Sequence, residues 1–229
     1  MPGNPLTISS NWANIRGIAP DRFDAYRRPG DADELDGLAR YVWNMALCRE
    51  AQTPLHILEV CFRNRLHNAL TGSRGRADWF NDERLLSLDE QSAVIRAKKT
   101  LERQRRPFSP GRVVAELNFG FWTGLYGREH ENDIVRPTLA ATFPHIVGRA
   151  VRGTVASPLR EARLLRNRVS HHEHICFDVA LPTKYADILN LIKWMSSEAP
   201  ELVALEGRFT HIYGATWTAY RPILETVFG

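Results

Sequence analysis

The sequence predicts an all-α protein, an up-and-down helical bundle with additional peripheral helices. Two observations favour this class. Apolar residues recur three and four positions apart in the longer segments, which is the spacing of one helix face. Ser-Pro and Thr-Pro pairs, which place a capping residue before a proline at the first helical position, occur in front of several of these segments. Short apolar stretches such as 175–181 are too isolated to build a sheet.

The N-terminal part of the chain contains the first two predicted helices. Residues 1–18 are rich in Pro, Gly, Asn and Ser and are expected to pack loosely, and residues 19–229 are expected to form a single domain. Asp21 is predicted to cap a short helix over 21–27. The helical spacing of apolar residues over 33–50 predicts the second.

Two further helices are predicted from their capping signals. Thr53-Pro54 is expected to begin the third helix, and Gly72 to end it. Ser87 and Glu90 have the spacing of a capping box, in which each side chain bonds the other residue's backbone N–H. This box is predicted to open a basic fourth helix.

The remaining helices are predicted in the C-terminal half of the chain. Ser109-Pro110 begins one that reaches the glycines of 120–127, and 129–133 is interpreted as a polar connection. Ser157-Pro158 begins another, which carries the densest group of polar residues in the chain. The last two are predicted over 185–195 and 210–220.

Composition restricts the compartment and the cofactors. The three cysteines of this 229-residue chain, Cys48, Cys61 and Cys176, are far apart, which argues against a disulfide framework or a zinc ribbon. Neither a signal-peptide core nor an 18-residue apolar run occurs. We therefore expect a cytoplasmic protein with no membrane partner and no cofactor.

The net charge is only +4, but the basic residues form two clusters. Such clustering favours a nucleic-acid partner more than the net charge alone does. The first comprises Arg96, Lys98, Lys99, Arg103, Arg105, Arg106 and Arg112. The second comprises Arg149, Arg152, Arg160, Arg163, Arg166 and Arg168. A solvated helix face is an equally good interpretation of the first cluster taken alone.

The segment RLLRNRVSHHEHI, residues 163–175, concentrates groups that could carry chemistry. If it is helical throughout, Asn167 and His171 lie one turn apart on one face, with Arg163 and His174 on the same side. The side chain of Arg166 is long enough to reach toward His171. The alternative is the surface-exposed end of a helix, where the helix dipole favours histidines.

These residue types suit RNA cleavage by the RNA's own 2′-hydroxyl. A His with a pKa near neutral can transfer the proton, and a fixed Arg can stabilise the charge that develops on the phosphate oxygens. This reaction requires no metal ion. His172, Glu173 and His174 are adjacent on the predicted helix and point in different directions, so they would make a poor metal site.

Three segments resemble one known family. Arg-Asn-x-x-x-His, residues 166–171, resembles the signature of the HEPN superfamily, and RNRVSHHEHI is similar to the matching stretch of Abi-like (abortive-infection) proteins. YVWNMALCREAQTPLHILEVCFRNRL, 41–66, resembles their N-terminal helix pair, and ELNFGFWTGLY, 116–126, resembles their central Phe-Gly-aromatic element. The matches follow the family's order over residues 20 to 180.

The resemblance implies a HEPN-type helical bundle, metal-independent endoribonuclease activity and a homodimer in which two motif helices share a cleft. Matched by position, Arg166 and His171 are catalytic and Asn167 orients them. Four further residues would support the site, Glu59, Arg63, Asn64 and His172, and two would bind RNA, Arg163 and Arg168. Ser170 departs from the Ala often found beside the His.

Several alternatives remain open at the level of sequence. Glu59 and Arg63 are four residues apart and could form a simple intrahelical ion pair. Phe119, Phe121 and Trp122 could stack on bases, although core packing is the stronger interpretation. For the whole protein, we expect a toxin or phage-defence effector that acts on RNA and answers to an antitoxin or a phage trigger. The alternative is a non-catalytic HEPN-fold RNA-binding or protein-interaction module.

Overall fold

The computed structural model describes residues 17, 20–148, 151–205 and 207–228. This part of the chain forms eleven α-helices and contains no strand, which confirms the all-α class. Apart from Gly17, the N-terminal segment predicted to pack loosely over 1–18 lies outside the described residues. No helix within the described ranges is long and apolar enough to cross a membrane.

The helices follow one another with short connections. In chain order they are α1 Pro20–Asp24, α2 Glu34–Arg74, α3 Leu88–Arg103, α4 Pro110–Glu116, α5 Phe119–Gly124, α6 Arg136–Thr142, α7 Arg152–Ser170, α8 Leu181–Met195, α9 Ala199–Ala204, α10 Phe209–Ala215 and α11 Arg221–Phe228. Short 3₁₀ turns cover Trp79–Asn81, Arg128–His130 and Trp217–Ala219, and a π-helical turn covers Glu131–Val135.

The chain divides into two compact units. Unit 1 contains the described residues of Met1–Gln52, Arg168–Pro182 and Gly207–Gly229, and unit 2 contains those of Thr53–Asn167 and Thr183–Glu206. Helices α2, α7 and α8 therefore contribute residues to both units. The single domain expected over 19–229 stays a prediction.

Unit 1 combines an apolar cluster with buried ion pairs. Its buried cluster consists of Phe23, Leu35, Leu38, Ala39 and Leu224. The guanidinium of Arg40 donates to both carboxylate oxygens of Asp31, at 2.9 and 2.6 Å, and lies 4.4 Å from the centroid of the Trp217 ring. These hydrogen bonds from Arg40 hold the pKa of Asp31 below its usual value.

Unit 2 has an aromatic core. Phe62 of α2 lies 5.3 Å from Tyr126 and 5.9 Å from Phe143, measured between ring centroids. Trp79 packs edge-on against Trp122 at 6.0 Å, and its indole N–H donates to His67 Nδ1 at 3.0 Å. Burial lowers the pKa of His67, so the neutral imidazole that accepts this bond is favoured.

The capping box predicted at Ser87 and Glu90 is confirmed. The backbone N–H of Glu90 donates to Ser87 Oγ at 3.4 Å, and that of Ser87 donates to Glu90 Oε2 at 2.8 Å. The Glu90 carboxylate also bonds the buried His130 at 2.9 Å. Glu90 therefore caps the start of α3 and links this helix to the turn before α6.

The helix break predicted at Thr53-Pro54 is wrong, because α2 continues through Pro54 to Arg74. A proline inside a helix removes one backbone hydrogen bond. Buried apolar residues on both sides offset that loss, since Leu47, Ala51, Leu55 and Leu58 are at most 2% exposed and share one stripe. Gly72 lies inside the helix, and Gly75, with a φ of +69°, follows its end.

Other predicted boundaries also require correction. The helix predicted from Ser109 breaks into α4 and α5, because Asn118 accepts from the Phe121 N–H at 2.9 Å and caps a new helix. The motif helix α7 begins at Arg152 rather than at Ser157, with Pro158 inside it between the fully buried Val155 and Leu159.

The C-terminal half also differs from the prediction in number of helices. The polar connection predicted at 129–133 forms 3₁₀ and π-helical turns that lead directly into α6, a helix the sequence did not predict. Helix α9 was likewise missed. The single helix predicted over 210–220 is instead α10 and a 3₁₀ turn, and α11 follows.

Candidate active site

The motif residues lie at the C-terminal end of α7, which ends at Ser170. Arg166 and Asn167 belong to unit 2, whereas Arg168 and His171 belong to unit 1. Asn167 and His171 are both exposed, and Arg166 is partly buried. All three histidines of the segment, His171, His172 and His174, follow the end of the helix. The expectation that His174 shares a helix face with Arg163 is therefore wrong.

In unit 2, Arg166 pairs with one of the predicted supporting residues. Its Nε lies 3.4 Å from Glu59 Oε2, with 37% of the Arg166 side chain and 22% of the Glu59 side chain exposed. Arg63 donates to the side chain of Asn64 at 3.3 Å. Glu59 thus bonds the motif arginine rather than forming the alternative intrahelical pair with Arg63, and it restricts where the Arg166 guanidinium can lie.

Arg163 is packed more tightly than a surface arginine. Its Nε is buried and has no hydrogen-bond partner among the described residues. The side chain lies against α5 at Gly120, where an added Cβ would be 3.9 Å from Arg163 Cδ and Nη1. The tight neighbour of such a Cβ would be Asn118 Oδ1, at 3.1 Å, so the capping residue of α5 restricts this position more than Arg163 does. The RNA-binding role expected of Arg163 stays a prediction.

The aromatic residues of α5 are buried. Phe119, Phe121 and Trp122 are at most 6% exposed. Trp122 also donates its indole N–H to the Leu117 carbonyl at 3.2 Å. The interpretation of this element as core packing is confirmed, and these rings are not exposed for stacking on bases.

In unit 1, the end of α7 is closed by a left-handed residue. His172 has a φ of +57°, its N–H donates to the Val169 carbonyl at 3.2 Å, and the Glu173 N–H donates to the Arg168 carbonyl at 2.8 Å. This is the hydrogen-bond pattern of a Schellman motif, in which glycine usually occupies the left-handed position. His171, the residue before it, is left exposed at the helix end.

Arg168 holds the turn that follows. Its guanidinium donates to the carbonyl of His174 and lies 3.7 Å from a Glu173 carboxylate oxygen and 3.8 Å from one of Asp178. It also lies 3.3 Å from His174 Nδ1. These contacts give Arg168 a positioning role in its own chain, and its expected contact with RNA stays a prediction.

Asn44 of α2 fixes the same turn, a role that no pattern in the sequence indicates. The residue is 3% exposed, and its Oδ1 accepts from the backbone N–H groups of Ile175 at 2.7 Å and Cys176 at 3.1 Å. Its Nδ2 donates to the Glu173 carbonyl at 3.4 Å. No local signal could indicate this role, since Asn44 and Ile175 are 131 residues apart.

A cleft of about 550 Å³ in unit 1, here called the histidine cleft, lies at this helix end. It is lined by Asp21, Arg22, Ala25, Tyr26, His171, His172, Glu173 and His174. Arg22 Nη1 donates to the His172 carbonyl at 3.0 Å, so the cleft that contains the three histidines also contains a cation. No sequence pattern indicates a role for Arg22 either, because it is 150 residues from His172.

The buried tyrosine and the cysteines near the cleft are unsuited to proton transfer at neutral pH. Burial raises the pKa of the Tyr26 hydroxyl far above its usual range. Burial also raises the pKa of the Cys48 thiol to about 11 and that of Cys176 to about 12, so neither forms the nucleophilic thiolate. The titratable side chains that remain in the lining are the three histidines and the carboxylates of Asp21 and Glu173, and histidine is the type most often used as a general base.

The two basic clusters differ in whether their residues are described as exposed or as members of ion pairs. In the first, the exposed residues include Arg96, Lys99 and Arg103 on α3, and Phe108 beside them is 59% exposed. In the second, Arg152 pairs with Glu131 at 2.8 Å and Arg160 lies 3.7 Å from Glu161. Arg149 lies outside the described residues.

Within the described part of the chain, no three His, Cys, Asp or Glu side chains are grouped so as to hold a metal ion. Comparison of the chain with protein-family models, with curated proteins and with solved structures finds no match. The resemblance to Abi-like HEPN proteins therefore stays a prediction.

Proposed function

We propose that this protein is a metal-independent endoribonuclease of the HEPN type. The observation that carries the proposal is the exposed His171 in the histidine cleft, beside His172, His174 and the cation of Arg22. The second support is Arg166, which Glu59 holds while more than a third of its side chain stays exposed. A general base and a fixed cation are the two groups that cleavage by a 2′-hydroxyl requires.

The proposed reaction begins when His171 takes the proton of an RNA 2′-hydroxyl. The 2′-oxygen attacks the adjacent phosphorus, the bond to the 5′-oxygen breaks, and a protonated imidazole returns a proton to that leaving oxygen. Arg166 stabilises the charge on the non-bridging oxygens, and Asn167 orients the motif. The products are a 2′,3′-cyclic phosphate and a 5′-hydroxyl.

We propose that the active form is a homodimer in which two motif helices line one basic cleft. One motif supplies one His and one Arg, whereas in-line transfer benefits from a base on one side of the phosphorus and an acid on the other. A two-fold axis would supply both from one sequence. Leu164, 41% exposed on α7 beside the exposed Arg160 and Asn167, is an apolar contact suited to such an interface.

The dimer can be tested by light scattering. Leu164→Glu is expected to shift the mass from two chains toward one and to reduce RNA cleavage, with Leu202→Glu on α9 as a control that changes another exposed leucine. A mass of one chain for the active wild type would refute the dimer. Partial recovery of activity on mixing Arg166→Ala with His171→Ala subunits would show that catalytic groups are shared.

The biological role proposed is that of a cytoplasmic toxin or phage-defence effector, controlled by an antitoxin or a phage trigger. A second candidate function is a non-catalytic RNA-binding or protein-interaction module. The inward contacts of Arg168 favour this candidate, because they show that part of the motif serves the structure of its own turn. The two candidates differ in whether an unregulated copy slows bacterial growth and whether His171→Ala relieves that effect.

The decisive variants are His171→Ala and Arg166→Ala. Each is expected to abolish cleavage of total RNA in the presence of EDTA while helical circular dichroism is unchanged, because both side chains reach solvent. His211→Ala is the matched control, since His211 is an exposed histidine of unit 1 outside the histidine cleft. Cleavage at the wild-type rate in either motif variant would place the active site elsewhere.

A further inference from the structure

A second cleft in unit 1 adjoins the histidine cleft and is not used by the proposed reaction. This cleft, here called the side cleft, measures about 460 Å³ and is lined by Arg22, Tyr41, Asn44, Met45, Cys48 and His172. It shares Arg22 and His172 with the histidine cleft. Both volumes lie within the range of about 300–1,000 Å³ that is usual for small-molecule sites.

The side cleft has the lining of a site for a flat, weakly polar group. The half-buried Tyr41 ring is held in place by Phe23 at 4.8 Å and Tyr26 at 5.3 Å, measured between ring centroids. Met45, 47% exposed, adds a polarisable thioether. Aromatic side chains of this kind bind nucleobases by their faces, with little dependence on the identity of the base.

Arg22 connects the two clefts. Its Nη1 donates to the carbonyl of His172, and the residue is exposed. A guanidinium with further N–H groups is well suited to a phosphate. A phosphate between the clefts would have the imidazoles on one side and the Tyr41–Met45 surface on the other.

We propose that the side cleft binds the base of the RNA nucleotide next to the scissile bond, with Arg22 on the phosphate between them. The proposal rests on the function proposed above, since it takes the histidine cleft as the place of cleavage. It assigns a substrate-binding role to Arg22, Tyr41 and Met45, none of which belongs to the Arg-Asn-x-x-x-His motif.

Methionine NMR tests this assignment without requiring turnover. The chain has three methionines, and Met45 is the one that lines the side cleft. Met195 is fully buried in unit 2, so the ¹³C-methyl signal of Met195 is an internal reference. The probes are a 2′-O-methyl RNA tetranucleotide, which lacks the attacking hydroxyl, a nucleoside 3′-monophosphate and inorganic phosphate. A Met45→Leu variant assigns the signal.

The tetranucleotide is expected to shift the Met45 signal saturably and to leave that of Met195 in place. Arg22→Gln should weaken this binding about tenfold or more, the usual effect of losing a hydrogen bond to a charged group. Arg27→Gln is the control, since Arg27 is an exposed arginine nearby that lines neither cleft. Arg22 also bonds the His172 carbonyl, so its replacement must not disturb the fold. We therefore expect the circular dichroism of Arg22→Gln to be the same as that of the wild type.

Three results would overturn the proposal. The first is a Met45 signal that the tetranucleotide does not move. The second is a shift caused equally by inorganic phosphate, which would leave an anion site with no base. The third is binding of the free nucleotide but not of the tetranucleotide, which would indicate a nucleotide ligand rather than RNA.

A cleavage assay separates this proposal from the proposed function. Met45→Trp should fill the side cleft and lower cleavage of a normal RNA at least about tenfold, which is the effect expected from losing one stacked base. An RNA with an abasic residue at that position should be cut by Met45→Trp at the same rate as by the wild type. Equal cleavage of both RNAs by both proteins would refute the base site alone. No cleavage by wild type, with a normal Met45 shift, would refute the nuclease and leave the RNA site.

Discussion

Replacing Asn44 should loosen the turn that follows the motif helix. Asn44→Leu keeps a similar volume and excludes water, but it leaves the N–H groups of Ile175 and Cys176 without an acceptor. Both residues are at most 7% exposed. A buried donor left without a partner costs about 1–3 kcal/mol, so two of them should lower the free energy of unfolding by about 2–6 kcal/mol.

Hydrogen exchange measures this effect where it arises. Peptides covering 173–178 should lose protection in Asn44→Leu, because local opening no longer breaks two hydrogen bonds. Urea denaturation followed by circular dichroism gives the total loss. Asn190→Ala, at an exposed position of α8, should change the free energy of unfolding by less than about 0.5 kcal/mol.

The same variant links this structure to the proposed activity. The turn held by Asn44 carries His174 and begins directly after His172, so cleavage of RNA should fall together with protection of 173–178. Unchanged exchange of the Ile175 and Cys176 amides in Asn44→Leu would contradict the reasoning, because the bonds to Asn44 would then not hold the turn.

Three further results are expected. Glu59→Gln should reduce RNA cleavage about tenfold by freeing Arg166, yet cost less than about 1 kcal/mol of stability, because the pair is partly exposed. His172→Gly should raise the free energy of unfolding by about 0.5–1 kcal/mol, since a φ of +57° is unfavourable for residues other than glycine. His130→Leu should remove a pH-dependent part of the stability, because the bond to Glu90 raises the pKa of His130.

The direction of the pH dependence follows from both partners. The stability that His130 contributes is complete below its usual pKa of 6.5 and is lost as pH rises through the raised pKa of the folded protein. Burial alone would raise the pKa of Glu90, but the bonds from His130 and Ser87 lower it. The contribution of Glu90 is therefore complete above its usual 4.5 and lost as pH falls through the lowered value.

Each of these predictions has its own control. Glu83→Gln, an exposed glutamate in unit 2, should leave cleavage unchanged, and a Glu59→Gln enzyme as fast as wild type would exclude a role for the pair. His172→Ala should not stabilise, because alanine also disfavours a positive φ. Equal stability differences between wild type and His130→Leu at pH 5.5 and pH 9 would refute the pH argument.

Local signals in the sequence predicted well what local interactions determine. The capping box of Ser87 and Glu90 was predictable because its hydrogen bonds connect residues three apart. Pro54 and Pro158 were misinterpreted as helix starts, because burial of the flanking stripes outweighs the missing hydrogen bond. Local sequence preference does not predict that burial, because burial depends on the packing of residues far apart in the chain.

The features of the candidate site also divide into those that local spacing predicts and those that depend on distant residues. The spacing of Arg166 and His171 is visible in the sequence, and Glu59 pairs with Arg166, while the supporting role of Glu59 in catalysis stays a prediction. The positive φ of His172 ends the helix where the pattern alone continued it to His174. Asn44 and Arg22 act on the turn across more than 100 residues of sequence, and no spacing rule reaches that far.

The chemistry of the product ends tests the central claim most directly. Purified protein is incubated in EDTA with an end-labelled RNA, and with the same RNA carrying one 2′-deoxynucleotide at the cleavage site. The proposed mechanism predicts a 2′,3′-cyclic phosphate, a 5′-hydroxyl and no cleavage at the deoxynucleotide, because the attacking oxygen is missing there. A 5′-phosphate end, or cleavage that the deoxynucleotide does not stop, would contradict the mechanism.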